Sequence, residues 1–203
     1  MPANLTFDAL KKAVAAGEID TVLVAIVDMQ GRLMGKRFVA QHFVESAWEE
    51  THCCNYLLAV DVEMFTVPGL EKGYGDYVVK PDLATLRRLP WLEGTALCMA
   101  DLLDHHTHEE VAVSPRAILK RQVARAKAMG FDAMMATELE FYLFEESFDT
   151  LHDRDYQNLR TLGRHNADYA IFGTSKEESV MRAIRNGLWA AGIPIECSKG
   201  EAE

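Results

Sequence analysis

The chain has 203 residues and a formal net charge of −10, with 49% hydrophobic and 26% charged residues, a balance typical of globular domains. The acidic excess argues against nucleic acid or an anionic membrane surface as a partner, and no apolar run approaches the roughly 20 residues of a membrane span. The N-terminal residues lack the apolar region of a signal peptide, and the four cysteines show no C-x-x-C spacing. We expect a cytoplasmic protein with one sizeable domain or two small ones.

The first third of the chain has the pattern of a small α+β module. Apolar spacing and turn residues predict its elements in chain order: a helix over 7–16, strands over 19–27 and 33–39 joined as a hairpin, a helix over 40–50, and a strand over 76–79. A long irregular stretch lies between residue 50 and that last strand, and loops of such length are usually functional.

The remainder alternates predicted helices and strands. A connector with two prolines leads to a strand over 94–101, and residues 101–110, rich in acids and histidines, are interpreted as a polar turn rather than a metal cluster. Ser114-Pro115 starts a helix that ends at Gly130. Ser175 and Glu178 form a capping-box pattern for a helix that ends at Gly192, and a strand over 193–197 follows.

The stretch 136–145 combines strand-forming residues with two acids, Glu138 and Glu140. Side chains two apart on a strand share a face, with backbone positions roughly 6.5–7 Å apart, so the two carboxylates repel unless a cation lies between them. A divalent cation would satisfy both. A solvated sheet edge is the simpler interpretation of an isolated E-x-E pattern, and the pattern alone leaves both open.

Further acids, Glu196 and Glu201, follow the last predicted strand. Carboxylates from different strands can hold the cations that neutralise nucleotide phosphates, and an oxygen-only site favours Mg²⁺ or Mn²⁺ over zinc. The P-loop and Rossmann glycine patterns are both absent from the sequence. The residues alone therefore indicate a divalent-cation enzyme acting on phosphates.

Five segments together resemble the glutamine synthetase family. They follow the family's order along the chain. The first is Asp28 with Gly31-Arg32, the second is Pro81-Asp82-Leu83 with Thr85, Pro90-Trp91 and Asp101, and the third is Ser114-Pro115-Arg116. The fourth, Thr137 to Phe144, resembles the family's G-P-E-x-E-F-F-L-F, and the fifth, Ile195 to Glu201, resembles its V-E-x-S-H-H-E. The resemblance implies an α+β fold with a small N-terminal β-grasp domain and connector over 1–108. The first part of the catalytic antiparallel-sheet domain is then expected over 109–203.

The resemblance also implies an activity: ATP-dependent joining of the glutamate γ-carboxylate to ammonia or a small amine, through γ-glutamyl phosphate. Site roles carry over by position. Glu138 resembles a metal ligand near the ATP phosphates, Glu140 and Glu201 resemble ligands of the metal near glutamate, and Glu196 resembles a nucleotide-contacting residue. The implied cofactors are ATP and Mg²⁺ or Mn²⁺.

Two acids in the first domain complete the implied site. Asp76 is similar to the acid of the family's ammonium pocket, and Asp61 is its suggested partner; such acids would hold a cationic amine and take its proton. A turn residue for Asp76 and a solvated strand end for Asp61 are the structural alternatives. The family assembles as stacked rings with sites between neighbouring subunits, which implies a homo-oligomer.

The chain departs from the family pattern in three places. Residues 61–65 replace the D-G-S-S loop, which favours an amine larger than ammonia, and Lys199-Gly200 replaces a pair of histidines. The resemblance covers the N-terminal portion of the family only and stops before the P-G-Q-x-E segment. We therefore expect these 203 residues alone to be inactive. A truncated, non-catalytic family member with a structural or regulatory role is the alternative to a ligase.

Overall fold

A mixed β-sheet organises the first part of the chain. The computed structural model describes residues 4–68 and 75–202, and the chain divides into two compact units, Met1–Ala133 and Met134–Glu203. The sheet belongs to the first unit, and the second unit contains short and medium helices joined by irregular segments. None of the helices within the described ranges is long and apolar enough to cross a membrane.

Six strands form the sheet. In chain order they are β1 (Thr21–Val27), β2 (Leu33–Val39), β3 (Thr51–Cys54), β4 (Asp76–Pro81), β5 (Arg87–Arg88) and β6 (Thr95–Asp104). Their spatial order is β2-β1-β6-β4-β3, and β5 also pairs with β6. β1 runs parallel to β6, whereas the other pairs are antiparallel. The predicted hairpin and the predicted strands near residues 76 and 94 are therefore confirmed.

The helices of the first unit begin with α1 (Phe7–Ala15), close to its predicted range. The Thr6 hydroxyl accepts a hydrogen bond from the Ala9 amide at 3.2 Å, and such a cap satisfies one of the unpaired amides at a helix start. The predicted helix over 40–50 is shorter than expected. It consists of α2 (Ala40–His42) and a π-helical turn, Phe43–Ala47.

The core lies between α1, the π-helical turn and one face of the sheet. Its largest fully buried apolar side chains are Phe43, Leu10, Leu86, Leu102, Val22, Val24 and Cys98. Burial of each aliphatic or aromatic side chain contributes about 1.5–3 kcal/mol. Burial also raises the pKa of Cys98 to about 12, so this cysteine remains an inert thiol.

Gly35 allows strands β1 and β2 to approach each other closely. It pairs with Ala25 across β1 and β2, and a Cβ atom at this position would lie 2.0 Å from the Val24 carbonyl oxygen. Any side chain here would push the strands apart, because backbone atoms cannot yield as a flexible side chain can.

The helix predicted to start at Ser114-Pro115 is confirmed as α3 (Pro115–Ala128). Gly130 follows its end with φ +87°, the left-handed conformation that glycine adopts without strain. The polar turn predicted over 101–110 is confirmed in part, because β6 extends through Asp104 and only residues 105–107 form a turn. The Asp104 carboxylate accepts hydrogen bonds from the amides of Thr107 at 2.8 Å and His106 at 2.9 Å.

The second unit contains α4 (Phe148–His152), α5 (Ile171–Thr174) and α6 (Glu178–Ala190). Gly192 follows α6 with φ +77°, as its predicted stop requires. The predicted capping box is wrong, because the Ser175 hydroxyl donates instead to the Ile171 carbonyl at 2.8 Å. Glu177 occupies the N-cap position of α6.

The two strands predicted in the second unit form no ladder. Within the described chain, residues 131–143 and 193–202 carry neither helix nor strand hydrogen bonding, and Phe144 makes one isolated bridge with Thr161. A sequence with strand composition becomes a strand only when a partner satisfies its amides and carbonyls. For the two predicted strands, the described residues of this unit supply such a partner only around Phe144, where the Glu145 amide donates to the Arg160 carbonyl at 2.9 Å and the Leu162 amide to the Leu143 carbonyl at 3.3 Å.

Candidate metal and substrate site

Three carboxylates meet in the second unit. Glu138, Glu140 and Glu201 each offer an oxygen atom, and these oxygens all lie within 4.8 Å of one another. All three residues are exposed. We call this group the carboxylate triad. It brings together two segments that are about 60 residues apart in sequence, and it contains all three residues proposed as metal ligands.

Lys199 and the local backbone position Glu201. The Lys199 ammonium lies 2.8 Å from the Glu201 carboxylate and 3.1 Å from that of Asp168. The hydrogen bond from Lys199, assisted by the Ala202 amide, lowers the pKa of Glu201. The hydrogen bonds that Lys199 donates to Glu201 and Asp168 raise the pKa of Lys199. Glu201 is therefore an ionised carboxylate at neutral pH.

The chemistry of the triad suits a hard divalent cation. Carboxylate oxygens are the ligands that Mg²⁺ and Mn²⁺ prefer, and Mg²⁺ usually keeps several waters when one or a few carboxylates hold it. Three negative charges so close together repel each other unless a cation neutralises them. The residues present therefore fit such an ion, with solvent available for its remaining positions.

The proposed nucleotide-contacting residue, Glu196, lies in the same unit and is exposed. It lies five residues before Glu201, in the same irregular segment. Its assignment to the nucleotide stays a prediction.

Asp61 and Asp76, proposed for the amine pocket, both lie in the first unit. Asp76 is the exposed first residue of β4 and stands opposite Cys54 in the ladder with β3. The half-buried Asp61 accepts hydrogen bonds from the amides of Glu63 at 2.9 Å and Phe65 at 3.0 Å. Asp61 thus stabilises a turn, a structural role that sequence reasoning did not assign to it. Roles for both acids in amine binding remain predictions.

A buried ion pair holds the Asp61 turn against the hairpin. Asp28 is 1% exposed and accepts a hydrogen bond from Arg32 Nε at 2.7 Å. Arg32 then donates to the carbonyls of Val62 at 2.7 Å and Asp61 at 3.1 Å. Gln30 adds a hydrogen bond to the Val60 carbonyl at 2.8 Å. Asp28 and Arg32 belong to one of the motif segments of the sequence. No pattern in the residues around them predicts their contact with residues 60–62.

A second ionic network ties α3 to the sheet. Arg116 Nε donates to Asp101 at 2.7 Å, and its Nη2 donates to Asp82. Lys120 Nζ lies 3.0 Å from Asp101 and also pairs with Glu110. Asp82 and Asp101 belong to one motif segment of the sequence, and Arg116 belongs to the next. Their convergence shows that those motifs encode one structural junction.

Comparisons with known proteins identify relatives of this chain. Residues 112–203 match the family model described as glutamine synthetase, catalytic domain. Gamma-glutamylethanolamide synthetase GlnA4 of Streptomyces coelicolor is 45% identical over 203 residues, which is 97% of this chain and 44% of the relative. Glutamate–isopropylamine ligase of a Pseudomonas species is 31% identical over 189 residues, covering 90% of this chain and 41% of the relative.

Solved structures show the same fold. A GmaS–ADP complex aligns with 90% of this chain and 39% of its own, with a TM-score of 0.62 and 18% identity. A structure described as a novel glutamine synthase homolog aligns with 91% of this chain and 41% of its own, with a TM-score of 0.66 and 12% identity. The chain belongs to the glutamine synthetase family, and it spans less than half the length of the relatives it matches.

Proposed function

We propose that the protein is an ATP-dependent ligase that joins the γ-carboxylate of glutamate to a small amine or ammonia. The carboxylate triad is the observation that carries the proposal, because residues 138–140 and 201 meet where the family pattern predicts metal ligands. One relative is named for a γ-glutamylethanolamide product and the other for isopropylamine as a substrate, and both names support an amine larger than ammonia. The altered loop over 61–65 supports the same preference.

The reaction has two steps. A γ-carboxylate oxygen of glutamate attacks the γ-phosphorus of ATP, so that γ-glutamyl phosphate forms and ADP leaves. The amine nitrogen then attacks the acyl carbon, the bond from that carbon to the phosphate oxygen breaks, and phosphate leaves with the electron pair. The nitrogen loses one proton as the amide forms.

The residues of this chain would serve these steps in distinct ways. Glu138 would hold the cation on the ATP side, and Glu140 with Glu201 the cation on the glutamate side. When bound, Mg²⁺ or Mn²⁺ neutralises the charge that develops on the phosphate oxygens. Asp76 and Asp61 would attract the ammonium form of the amine and accept its proton.

We further propose that the first part of the chain, over 1–108, is a β-grasp domain with its connector. The hairpin β1–β2 and the parallel pairing of β1 with the last strand, β6, support this assignment. The family-model match from residue 112 supports a catalytic-domain segment from 109 onward. A cytoplasmic homo-oligomer of stacked rings follows from the same family assignment.

The test is an amine screen with the complete gene product. Glutamate, ATP and Mg²⁺ are combined with ethanolamine, isopropylamine or ammonia, and both phosphate release and the mass of the γ-glutamyl amide are measured. Amine-dependent phosphate release with the matching amide is the expected result. Failure of every amine, in a protein that still binds Mn²⁺, would favour the non-catalytic structural or regulatory role.

The triad is tested by charge-neutral substitutions. Glu138→Gln, Glu140→Gln and Glu201→Gln should each lower turnover by about 100-fold or more, since a metal supplies several kcal/mol of transition-state stabilisation. Asp132→Asn is the matched control, because Asp132 is an exposed acid outside the triad. Equal activity in the control and the triad variants would contradict the assignment.

A further inference from the structure

Lys199 is a positive charge built into the carboxylate triad. Its ammonium contacts Glu201 at 2.8 Å and Asp168 at 3.1 Å and lies 4.3 Å from the centre of the Tyr169 ring. Its side chain is 29% exposed, less than either carboxylate that it pairs with. Lys199 is therefore held on several sides rather than extending freely into solvent.

Gly200 makes this arrangement possible. A Cβ atom at Gly200 would lie 2.1 Å from the Ala167 carbonyl oxygen and 2.8 Å from a methyl carbon of Thr174. The Gly200 carbonyl accepts a hydrogen bond from the Tyr169 amide at 3.2 Å. A residue with a side chain would push the backbone away from Ala167 and displace the adjacent Lys199. Lys199 and Gly200 consequently function as one unit.

A metal ion and the Lys199 ammonium require the same partner. Both are attracted to the Glu201 carboxylate, and two cations at one carboxylate repel each other. Lys199 has other partners, since Asp168 and the face of Tyr169 also attract an ammonium group. The ammonium can therefore leave Glu201 without losing all of its stabilising contacts.

We propose that Lys199 competes with the divalent cation for Glu201. Its ammonium group neutralises Glu201 when no metal is bound, and it leaves Glu201 when the metal binds. The inference rests on the proposed function, because it takes the triad to be the metal site. It assigns a role to the residue that replaces a histidine of the family pattern. Lys199 thereby lowers the affinity of the triad for metal.

The test measures Mn²⁺ binding by electron paramagnetic resonance at low ionic strength with the 203-residue chain. Lys199→Gln should tighten binding by about 2- to 5-fold, because it removes one exposed ion pair that competes with the metal. Lys199→Arg, which keeps the charge, should bind as the wild type does. Lys176→Gln removes an exposed lysine from the same unit and should change nothing.

The outcomes separate this inference from the proposed function. Loss of Mn²⁺ binding in Glu201→Gln, together with equal affinity in wild type and Lys199→Gln, would overturn the role of Lys199 alone. Equal binding in wild type and Glu201→Gln would overturn the metal site and this inference with it. Circular dichroism of each variant identifies any change that comes from altered folding, and weaker binding by a folded Lys199→Gln chain also contradicts competition.

Discussion

The Asp28 carboxylate, at the end of β1, binds Arg32 at 2.7 Å and through it holds a loop about 30 residues further along the chain. The side chain of Asp28 is fully buried, and that of Arg32 is 32% exposed. A buried carboxylate is tolerated only when it is paired and hydrogen-bonded. Here the same guanidinium group that pairs with Asp28 also satisfies two loop carbonyls.

Removal of Arg32 should be strongly destabilising. Arg32→Ala leaves Asp28 buried without its partner, and breaking a buried pair in this way costs about 3–5 kcal/mol. We expect the free energy of unfolding, measured by urea denaturation, to fall by about 3 kcal/mol, with part of the full cost avoided because Arg32 is partly exposed. Arg37→Ala, at an exposed position on β2, is the control and should change stability by less than about 0.5 kcal/mol. Equal stability of the two variants would contradict this role for Arg32.

Asp28 should also make stability dependent on acid pH. Burial alone would raise the pKa of Asp28, but the hydrogen bonds from Arg32 and the backbone amides of Arg32 and Gln30 outweigh it and lower the pKa. Because the folded pKa lies below the unfolded value of about 3.9, the stabilisation is present above that value and is lost as pH falls through the folded pKa.

Urea titrations between neutral pH and about pH 2 can detect this contribution. The wild-type chain should lose stability below about pH 4, whereas Asp28→Asn should show a smaller loss over the same range because its side chain does not titrate. Parallel curves for the two chains, offset by a constant amount, would show that Asp28 contributes no pH dependence.

Local patterns in the sequence predicted the elements that depend on local physics. The hairpin β1–β2 follows from a β-branched apolar run that ends in a turn, and α3 follows from Ser114-Pro115 at its start and Gly130 after its end. Contacts between distant segments left no such pattern. Nothing near Arg32 indicates that it binds the carbonyls of Asp61 and Val62, since a carbonyl is present at every residue.

The candidate site shows the same division. The spacing of Glu138 and Glu140 left a shared cation and a solvated sheet edge both open, and their carboxylate oxygens lie within 4.8 Å of one another. The order of predicted strands and acids suggested that Glu201 joins them, and the family resemblance assigned their individual roles. Strand-forming residues over 136–145 were not enough to predict a strand there. A strand depends on a hydrogen-bonding partner as well as on its own residues. No pattern in the sequence predicted the contact between Lys199 and Glu201, although position 199 departs from the family pattern.

The ionic junction between α3 and the sheet should show energetic coupling. Arg116 contacts Asp101 and Asp82, and its side chain is 23% exposed. A double-mutant cycle with Arg116→Ala and Asp101→Ala should give a coupling energy of about 1–2 kcal/mol, above the value for exposed pairs. Arg125→Ala on the exposed face of α3 supplies the control pair with Asp101→Ala. A coupling energy near zero for Arg116 would mean that the junction is not stabilising.

The second unit exposes large apolar side chains that should make the isolated 203-residue chain prone to association. Met134, Met135 and Phe172 are 96%, 93% and 95% exposed, and exposed apolar surface promotes aggregation when nothing covers it. Phe172→Ser should reduce light scattering at micromolar concentration and reduce binding of the dye ANS, with little loss of stability because few contacts are removed. Leu151→Ser, at a buried position of α4 with 7% exposure, is the matched contrast and should increase both signals. A sharply melting, monomeric wild-type chain that binds no ANS would show that this surface does not cause association.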